Sequence, residues 1–154
     1  PAALIATGLG IGHLPKVPGT WASLAALPLA WILDRYAGRP GIALAGVAIA
    51  LLGWWAGQVY VSHQRTEDPG EVVIDEIAAQ LLVLAVLPLT AFSLAVGFIL
   101  FRFFDIVKPW PVSWADQKVK GGLGVMLDDL LAALYAAFGL YLLSWLKDAL
   151  IHVS

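Results

Sequence analysis

Long apolar runs without a charged residue alternate with short polar segments along this chain. The four longest runs cover residues 40–62, 77–101, 130–146 and 17–33, with 23, 25, 17 and 17 residues. A helix needs about 20 consecutive apolar residues to cross roughly 30 Å of hydrocarbon. The pattern therefore predicts an all-α integral membrane bundle of about four to five hydrophobic helices. We expect one domain over residues 1–154, since no internal repeat or linker interrupts it.

The 25-residue run is expected to form two helices rather than one. Pro88 lies near its middle, and proline tends to end a helix because it lacks an N–H donor and clashes with the preceding turn. We therefore predict a helical hairpin around Pro88, with arms at residues 72–87 and 91–107. Arms of about 16 residues are short for a span, so we expect them to continue into their polar ends.

Three polar segments are expected to meet on one face of the membrane, because the hairpin returns the chain to its starting side. They cover residues 7–23, 63–76 and 105–129. Most basic residues belong to these segments or their edges: Lys16, Arg65, Arg102, Lys108, Lys118 and Lys120, against Arg35, Arg39 and Lys147 elsewhere. By the positive-inside rule, the polar segments face the cytoplasm. A fourth stretch, residues 34–40, is expected to be a plain turn.

The composition agrees with a membrane protein. Hydrophobic residues make up 60% of the chain, charged residues only 13%, and the mean hydropathy is +0.84. The absence of cysteine excludes disulfides, thiol nucleophiles and thiolate metal sites. A net charge of −2 leaves no basic surface for nucleic acid.

Carboxylates are concentrated at the predicted helix ends, where charge beside hydrocarbon is costly. The acidic residues of the polar segments are Asp68, Glu71, Asp75, Glu76, Asp105, Asp116, Asp128 and Asp129. Hard oxygen ligands without His or Cys suit Mg²⁺, which prefers carboxylates, water and phosphate oxygens. The alternative is that these residues are solvated charges favoured by the helix dipole, above all Asp128 and Asp129 before a helix.

Basic and glycine residues near these acids could bind an anion. Lys108 follows Asp105 at i+3, which on a helix places both on one face, either as a salt bridge or beside a phosphate. Glycines in the second half of the chain let the backbone approach a ligand closely, and the PGTWAS stretch offers free amides at a helix start. These candidates are Gly121, Gly122, Gly124, Gly19, Thr20 and Ser23. Helix packing or turn formation is the alternative for both glycine groups.

Three sequence blocks together resemble the phosphatidylglycerophosphatase A family. They are GLGIGHLPKVPGTWASLAALP, VVIDEIAAQ and FRFFDIVKPWPVSWADQKVKGGLGVMLDDLLAA, and in order and spacing they cover most of the chain. The third block is the most specific, with DxxKPWP, a further aspartate and GGxGxMxDD. Ala79 and Ala133 depart from the family pattern, which usually has glycine there, but each exchanges one small residue for another.

The resemblance implies a magnesium-dependent phosphatase that removes the phosphate monoester of phosphatidylglycerophosphate and leaves phosphatidylglycerol. It also implies a multi-pass protein of the bacterial inner membrane. The family's charged motif positions fall on Asp75, Glu76, Asp105, Lys108, Asp128 and Asp129, with Lys16, Gly19 and Thr20 from the first block.

The resulting hypothesis is direct hydrolysis at a site open to the cytoplasm. The carboxylates that hold Mg²⁺ are Asp75, Glu76, Asp105 and Asp128, or Asp129 in place of Asp128. Asp129 takes the proton of the attacking water, and Lys108, with Lys16 and the Thr20 region, neutralises the phosphoryl group. Gly121 and Gly122 complete the substrate-binding set.

Several alternatives stay open at this point. An aspartyl-phosphate intermediate could replace direct hydrolysis, and the substrate could be another lipid or isoprenoid phosphate. A non-enzymatic transport component is the rival class, but it would place charges in the middle of the spans rather than at their ends. The oligomeric state is open.

Overall fold

The computed structural model describes residues 1–64 and 70–153. Arg65 and Asp68 of the second polar segment lie outside this part of the chain. The helices are α1 (Ala2–Ala6), α2 (Pro18–Gln64), α3 (Ile74–Leu84), α4 (Ala91–Val107), α5 (Val112–Lys118) and α6 (Gly121–Val153), with a 3₁₀ turn at Ile11–His13. No strand occurs in the described ranges, and the all-α class is confirmed.

Helix α2 consists of two arms joined at a single non-helical residue. Gly38 has φ 63° and ψ −170°, a conformation that L-residues with a side chain rarely adopt, and Pro40 follows it. The plain turn expected over residues 34–40 is therefore shortened to one glycine between two helical segments. A second proline, Pro28, is accommodated inside the first arm.

Contacts with α3 show that the chain reverses direction at Gly38. Gly19 in the first arm and Gly53 in the second both approach the first turn of α3. Between them along the sequence, Arg39 donates hydrogen bonds to the carbonyl oxygens of Ala85 and Val86, beyond the other end of α3, at 3.2 and 3.0 Å. The two arms of α2 therefore enclose α3 and return to the same end of the molecule.

The helix break around Pro88 separates α3 from α4. Helix α3 is shorter at both ends than the expected arm 72–87, whereas α4 has the expected bounds 91–107. A local signal fixes the start of α4: the Thr90 hydroxyl accepts from the Ser93 amide at 3.1 Å, and the Ser93 hydroxyl accepts from the Thr90 amide at 2.8 Å.

Helix α6 begins nine residues earlier than the apolar run 130–146 indicates. The prediction of a polar loop up to residue 129 is wrong for this stretch, because Gly122, Gly124 and the Asp128–Asp129 pair all lie within the helix. The glycines allow it: a Cβ on Gly122 would overlap the backbone of Gln58 in α2. Packing against α2 thus stabilises a helix start that glycine alone disfavours.

Two apolar clusters hold the helices together, and large apolar side chains remain on the outside. One cluster joins α1, α2 and α3, and the other, which contains the fully buried Phe101, joins α3, α4, α5 and α6. Trp31, Leu44 and Leu150 are among the many large apolar residues that face outward. Helices α2 and α6 each contain a stretch long and apolar enough to cross a membrane.

Candidate functional site

Helices α3 and α6 bring three carboxylates together at one end of the molecule. Asp75 and Glu76 lie in the first turn of α3, and Asp129 lies in the third turn of α6. One oxygen from each of these three residues lies within 4.8 Å of the others. This separation allows all three side chains to bind one cation.

Asp75 and Asp129 are buried, Glu76 is half-buried, and two of the three carboxylates are incompletely hydrogen-bonded. Asp75 and Asp129 are 4% and 3% exposed. Within the described ranges, Oε2 of Glu76 and Oδ2 of Asp129 are buried without a hydrogen-bond partner. Buried acceptors without a donor are costly, and like charges so close together repel. An all-oxygen set with unfilled acceptors therefore fits a hard divalent cation such as Mg²⁺.

Arg102 links this group to the last turn of α4. Its Nη1 lies 2.6 Å from Oδ2 of Asp105, one turn along the same helix, and 4.0 Å from Oε1 of Glu76. Arg102 was expected only to contribute a basic charge to the topology and was missed as a site residue. The i, i+3 spacing to Asp105 was the available signal.

Lys108 lies just beyond α4 and pairs with two other carboxylates. It adopts the left-handed conformation at the helix end, with φ 48°. Its Nζ lies 2.6 Å from Oδ1 of Asp116 and 2.5 Å from Oδ2 of Asp128. The expected placement of Lys108 on one helical face with Asp105 is therefore wrong, because the helix ends before Lys108 and Asp105 pairs with Arg102.

The surroundings of Lys108 keep it protonated. Partial burial lowers its pKa, but the hydrogen bonds and charges of Asp116 and Asp128 more than compensate, so the pKa lies above the ordinary value of 10.5. The side chain is thus a permanent cation bound to Asp128, the residue that precedes Asp129.

Asp128 and Asp129 therefore have different neighbours. Asp128, expected among the metal ligands, is bound by Lys108, whereas Asp129, expected as the base, belongs to the group with Asp75 and Glu76. Consecutive residues on a helix point about 100° apart, which explains why only one of the two faces α3.

The first arm of α2 contributes Gly19 to the site. A Cβ at Gly19 would overlap the Glu76 carboxylate and lie 3.3 Å from Nη1 of Arg102. Thr20 follows it and is half-buried, whereas Lys16 is exposed. No ion pair joins Lys16 to another described residue.

Gly121 and Gly122 have different surroundings from those expected of an anion-binding loop. The Gly122 amide donates to Oε1 of Gln58 at 3.1 Å, so this amide already has a partner within the protein. Gly121, with φ 72°, lines a cavity of about 130 Å³. Asp116, Lys120 and Asp128 line the same cavity. The polar cavity therefore adjoins the Lys108 ion pairs.

The fold and this arrangement define an all-helical, strongly apolar protein with a carboxylate-rich site at the ends of its helices. A sequence model of the family "Phosphatidylglycerophosphatase A" matches residues 4–144. The chain belongs to this family. No solved structure matches it with significant similarity.

Similar proteins include two phosphatidylglycerophosphatases A. The protein from Haemophilus influenzae is 36% identical over 94% of this chain and 90% of its own length. The one from Escherichia coli is 39% identical over 92% of this chain and 82% of its own length. A Bacteroides thetaiotaomicron protein with the provisional name phosphatidylinositol-3-phosphatase is 37% identical, over 92% of both chains.

Proposed function

We propose that this chain hydrolyses the phosphate monoester of phosphatidylglycerophosphate to give phosphatidylglycerol and inorganic phosphate. The observation that carries the proposal is the group of Asp75, Glu76 and Asp129, with two buried unpartnered oxygens and with Arg102 next to Glu76. Lys108 adds a second cation, bound to Asp128. Membership of the family supports a phosphatase over a transport component.

Asp75, Glu76 and Asp129 would hold Mg²⁺. When bound, the ion would neutralise phosphate oxygens and make a nearby water a stronger nucleophile. In this proposal Oδ2 of Asp129, which has no partner, accepts the proton of that water. Asp105 acts through Arg102: it fixes the guanidinium next to Glu76, where it can bind a phosphate oxygen.

Lys108 supplies positive charge that stabilises the phosphoryl group in the transition state. Its ammonium group is held by Asp116 and Asp128, so little reorganisation is needed when negative charge develops nearby. Gly19 lacks a side chain and so leaves the space next to Glu76 open. Thr20, the next residue in α2, would bind the substrate beside it. The exposed Lys16 would assist the approach of the anionic headgroup. Gly121 contributes to substrate binding through the polar cavity, with Gly122 holding the cavity wall against α2.

The same proposal gives the protein a membrane arrangement. Both arms of α2, the hairpin of α3 and α4, and α6 would lie in the bacterial inner membrane as a single multi-pass domain of four to five spans. The carboxylate end would face the cytoplasm, in agreement with the excess of basic residues in the polar segments. A lipid headgroup would then meet the site at the membrane surface.

A second candidate function is hydrolysis of another lipid phosphate. The similarity to a protein provisionally named phosphatidylinositol-3-phosphatase favours it, because that name denotes a different lipid monoester. Both candidates share the reaction and differ only in the headgroup.

The deciding experiment measures phosphate release by the purified chain in detergent micelles. The substrates are phosphatidylglycerophosphate, phosphatidylinositol 3-phosphate, phosphatidate and a prenyl diphosphate, each with Mg²⁺ and with EDTA. We expect Mg²⁺-dependent release, fastest from phosphatidylglycerophosphate. Faster release from another lipid would replace the substrate assignment, and no release from any substrate would reject the phosphatase.

A further inference from the structure

One face of α6 borders two cavities of opposite character. The polar cavity described above lies on the side of Asp128 toward the helix start. A second cavity, of about 320 Å³, is lined by Pro111, Leu131, Leu134, Tyr135 and Phe138, and we call it the apolar groove. Its lining contains no charged side chain.

Helical spacing places the apolar groove on the side of α6 that carries Asp128, a lining residue of the polar cavity. Leu131, Tyr135 and Phe138 follow Asp128 at i+3, i+7 and i+10, which keeps them on one side of the helix. At 1.5 Å per residue, they lie about 5 to 15 Å beyond Asp128 along the helix axis. The groove thus begins next to the Lys108–Asp128 ion pair and runs away from it.

The opposite wall of the groove is attached to the site as well. Pro111 follows Lys108 by three residues, and the Tyr135 hydroxyl donates to the Trp110 carbonyl oxygen at 2.8 Å. The Tyr135 ring also stacks on Phe104 of α4, with the ring centres 5.2 Å apart. The segment that presents Lys108 therefore also forms the wall of the groove.

Aromatic residues next to Pro111 give the depth of the groove entrance. Trp110 and Trp114 are both exposed, and tryptophan favours the headgroup level of a membrane. Beyond this level lies the rest of the 17-residue apolar run 130–146 of α6, so the groove points into the hydrocarbon. Polar cavity, ion pair and apolar groove follow one another in the order of headgroup and acyl chain in a phospholipid.

We propose that the apolar groove binds an acyl chain of the lipid substrate while its phosphate occupies the carboxylate site. This inference rests on the proposed function and adds the position of the acyl chain when the lipid substrate is bound. A chain that moves from the bilayer into the groove stays in an apolar environment, so burial alone gains little. The gain comes from close contact along the chain, which positions the headgroup for reaction.

The test compares two substrates that share the phosphatidylglycerophosphate headgroup and differ in chain length, dioleoyl and dihexanoyl. The short chains fill only part of the groove. The full-length protein in mixed micelles is compared with Leu134→Ala, Phe138→Ala, the double variant and Leu150→Ala. Leu150 is a matched control because it lies on the same helix outside the groove, with 73% exposure against 68% for Leu134.

We expect the double variant to lose about tenfold in kcat/KM for the dioleoyl substrate and less than about twofold for the dihexanoyl substrate. Leu150→Ala should leave both values unchanged. Equal losses with both substrates, no loss with either, or a changed oligomeric state of the double variant would overturn the inference. In the last case the groove is a contact between two copies of the chain.

Failure of the proposed function gives a different result. The unsubstituted protein would then release no phosphate from either substrate, and the groove assignment would fall with it. Turnover by the unsubstituted protein together with unaltered chain-length preference in the double variant would reject the groove alone.

Discussion

The ammonium nitrogen of Lys108 lies 2.5 Å from Oδ2 of Asp128, a residue twenty positions later in the chain. This ion pair joins the end of α4 to α6 and neutralises one of the two adjacent aspartates. Asp129 is left to face Asp75 and Glu76, whose charges no lysine compensates in the described structure. Two adjacent aspartates therefore have different roles: Asp128 forms an ion pair and Asp129 belongs to the three-carboxylate group.

Asp129→Asn should abolish activity and stabilise the metal-free protein. The substitution removes a charge from a buried group of like charges, so we expect unfolding in EDTA to require about 1 kcal/mol more. Phosphate release with Mg²⁺ should fall at least about a hundredfold, since a ligand and proton acceptor is lost. Asp128→Asn is the comparison: it leaves Lys108 with one partner and should not stabilise. Equal thermal unfolding of the two variants in EDTA would contradict this division.

Asp105→Asn should remove phosphate release while the protein still folds and inserts. The neutral amide no longer holds the Arg102 guanidinium, which then loses its 2.6 Å partner beside Glu76. We expect kcat to fall by about a hundredfold with a smaller change in KM. Unchanged turnover at saturating Mg²⁺ would show that neither Asp105 nor its contact with Arg102 is needed for the reaction. Arg102→Lys, which keeps the charge but not the fork geometry, should have intermediate activity.

Gly19→Ala should inactivate the protein through a single methyl group. The new Cβ would overlap the Glu76 carboxylate and displace it from Asp75 and Asp129. Gly70→Ala is the matched control, since a Cβ there meets no atom of the described residues within 4 Å. We expect at least about a tenfold loss of phosphate release for Gly19→Ala and none for Gly70→Ala. Similar activity of both variants would show that the close approach of α2 to Glu76 is not required.

Local signals in the sequence predicted part of this fold. The helix break before α4 was predicted from Pro88, and the structure adds a second short-range feature at the same place, the Thr90–Ser93 capping pair. The predicted start of α6 was wrong because glycine on its own disfavours a helix. The compensating contact joins Gly122 to Gln58, which lies 64 positions earlier in the chain. A contact between residues so far apart leaves no local pattern in the sequence.

The candidate site shows the same limit. Residue type and clustering at helix ends identified a larger acidic set, and the structure brings three of its members, Asp75, Glu76 and Asp129, within 4.8 Å of one another. The sequence left open which of Asp128 and Asp129 is the ligand, because adjacent residues differ only in which neighbour each faces. Arg102 was missed because its link to Glu76 is a contact between two helices.

Mg²⁺ should raise the unfolding temperature of the purified protein, and EDTA should reverse the effect. Bound ligand stabilises by about 2.7 kcal/mol at a hundred times its dissociation constant, which corresponds to a shift of several degrees for a chain of this size. Glu76→Gln should lose most of the shift, because Oε2 of Glu76 is one of the two unpartnered acceptors of the group. Asp116→Asn should keep it, since Asp116 contacts Lys108 rather than the three carboxylates. A Mg²⁺ shift of equal size in Glu76→Gln and the unsubstituted chain would locate the ion elsewhere.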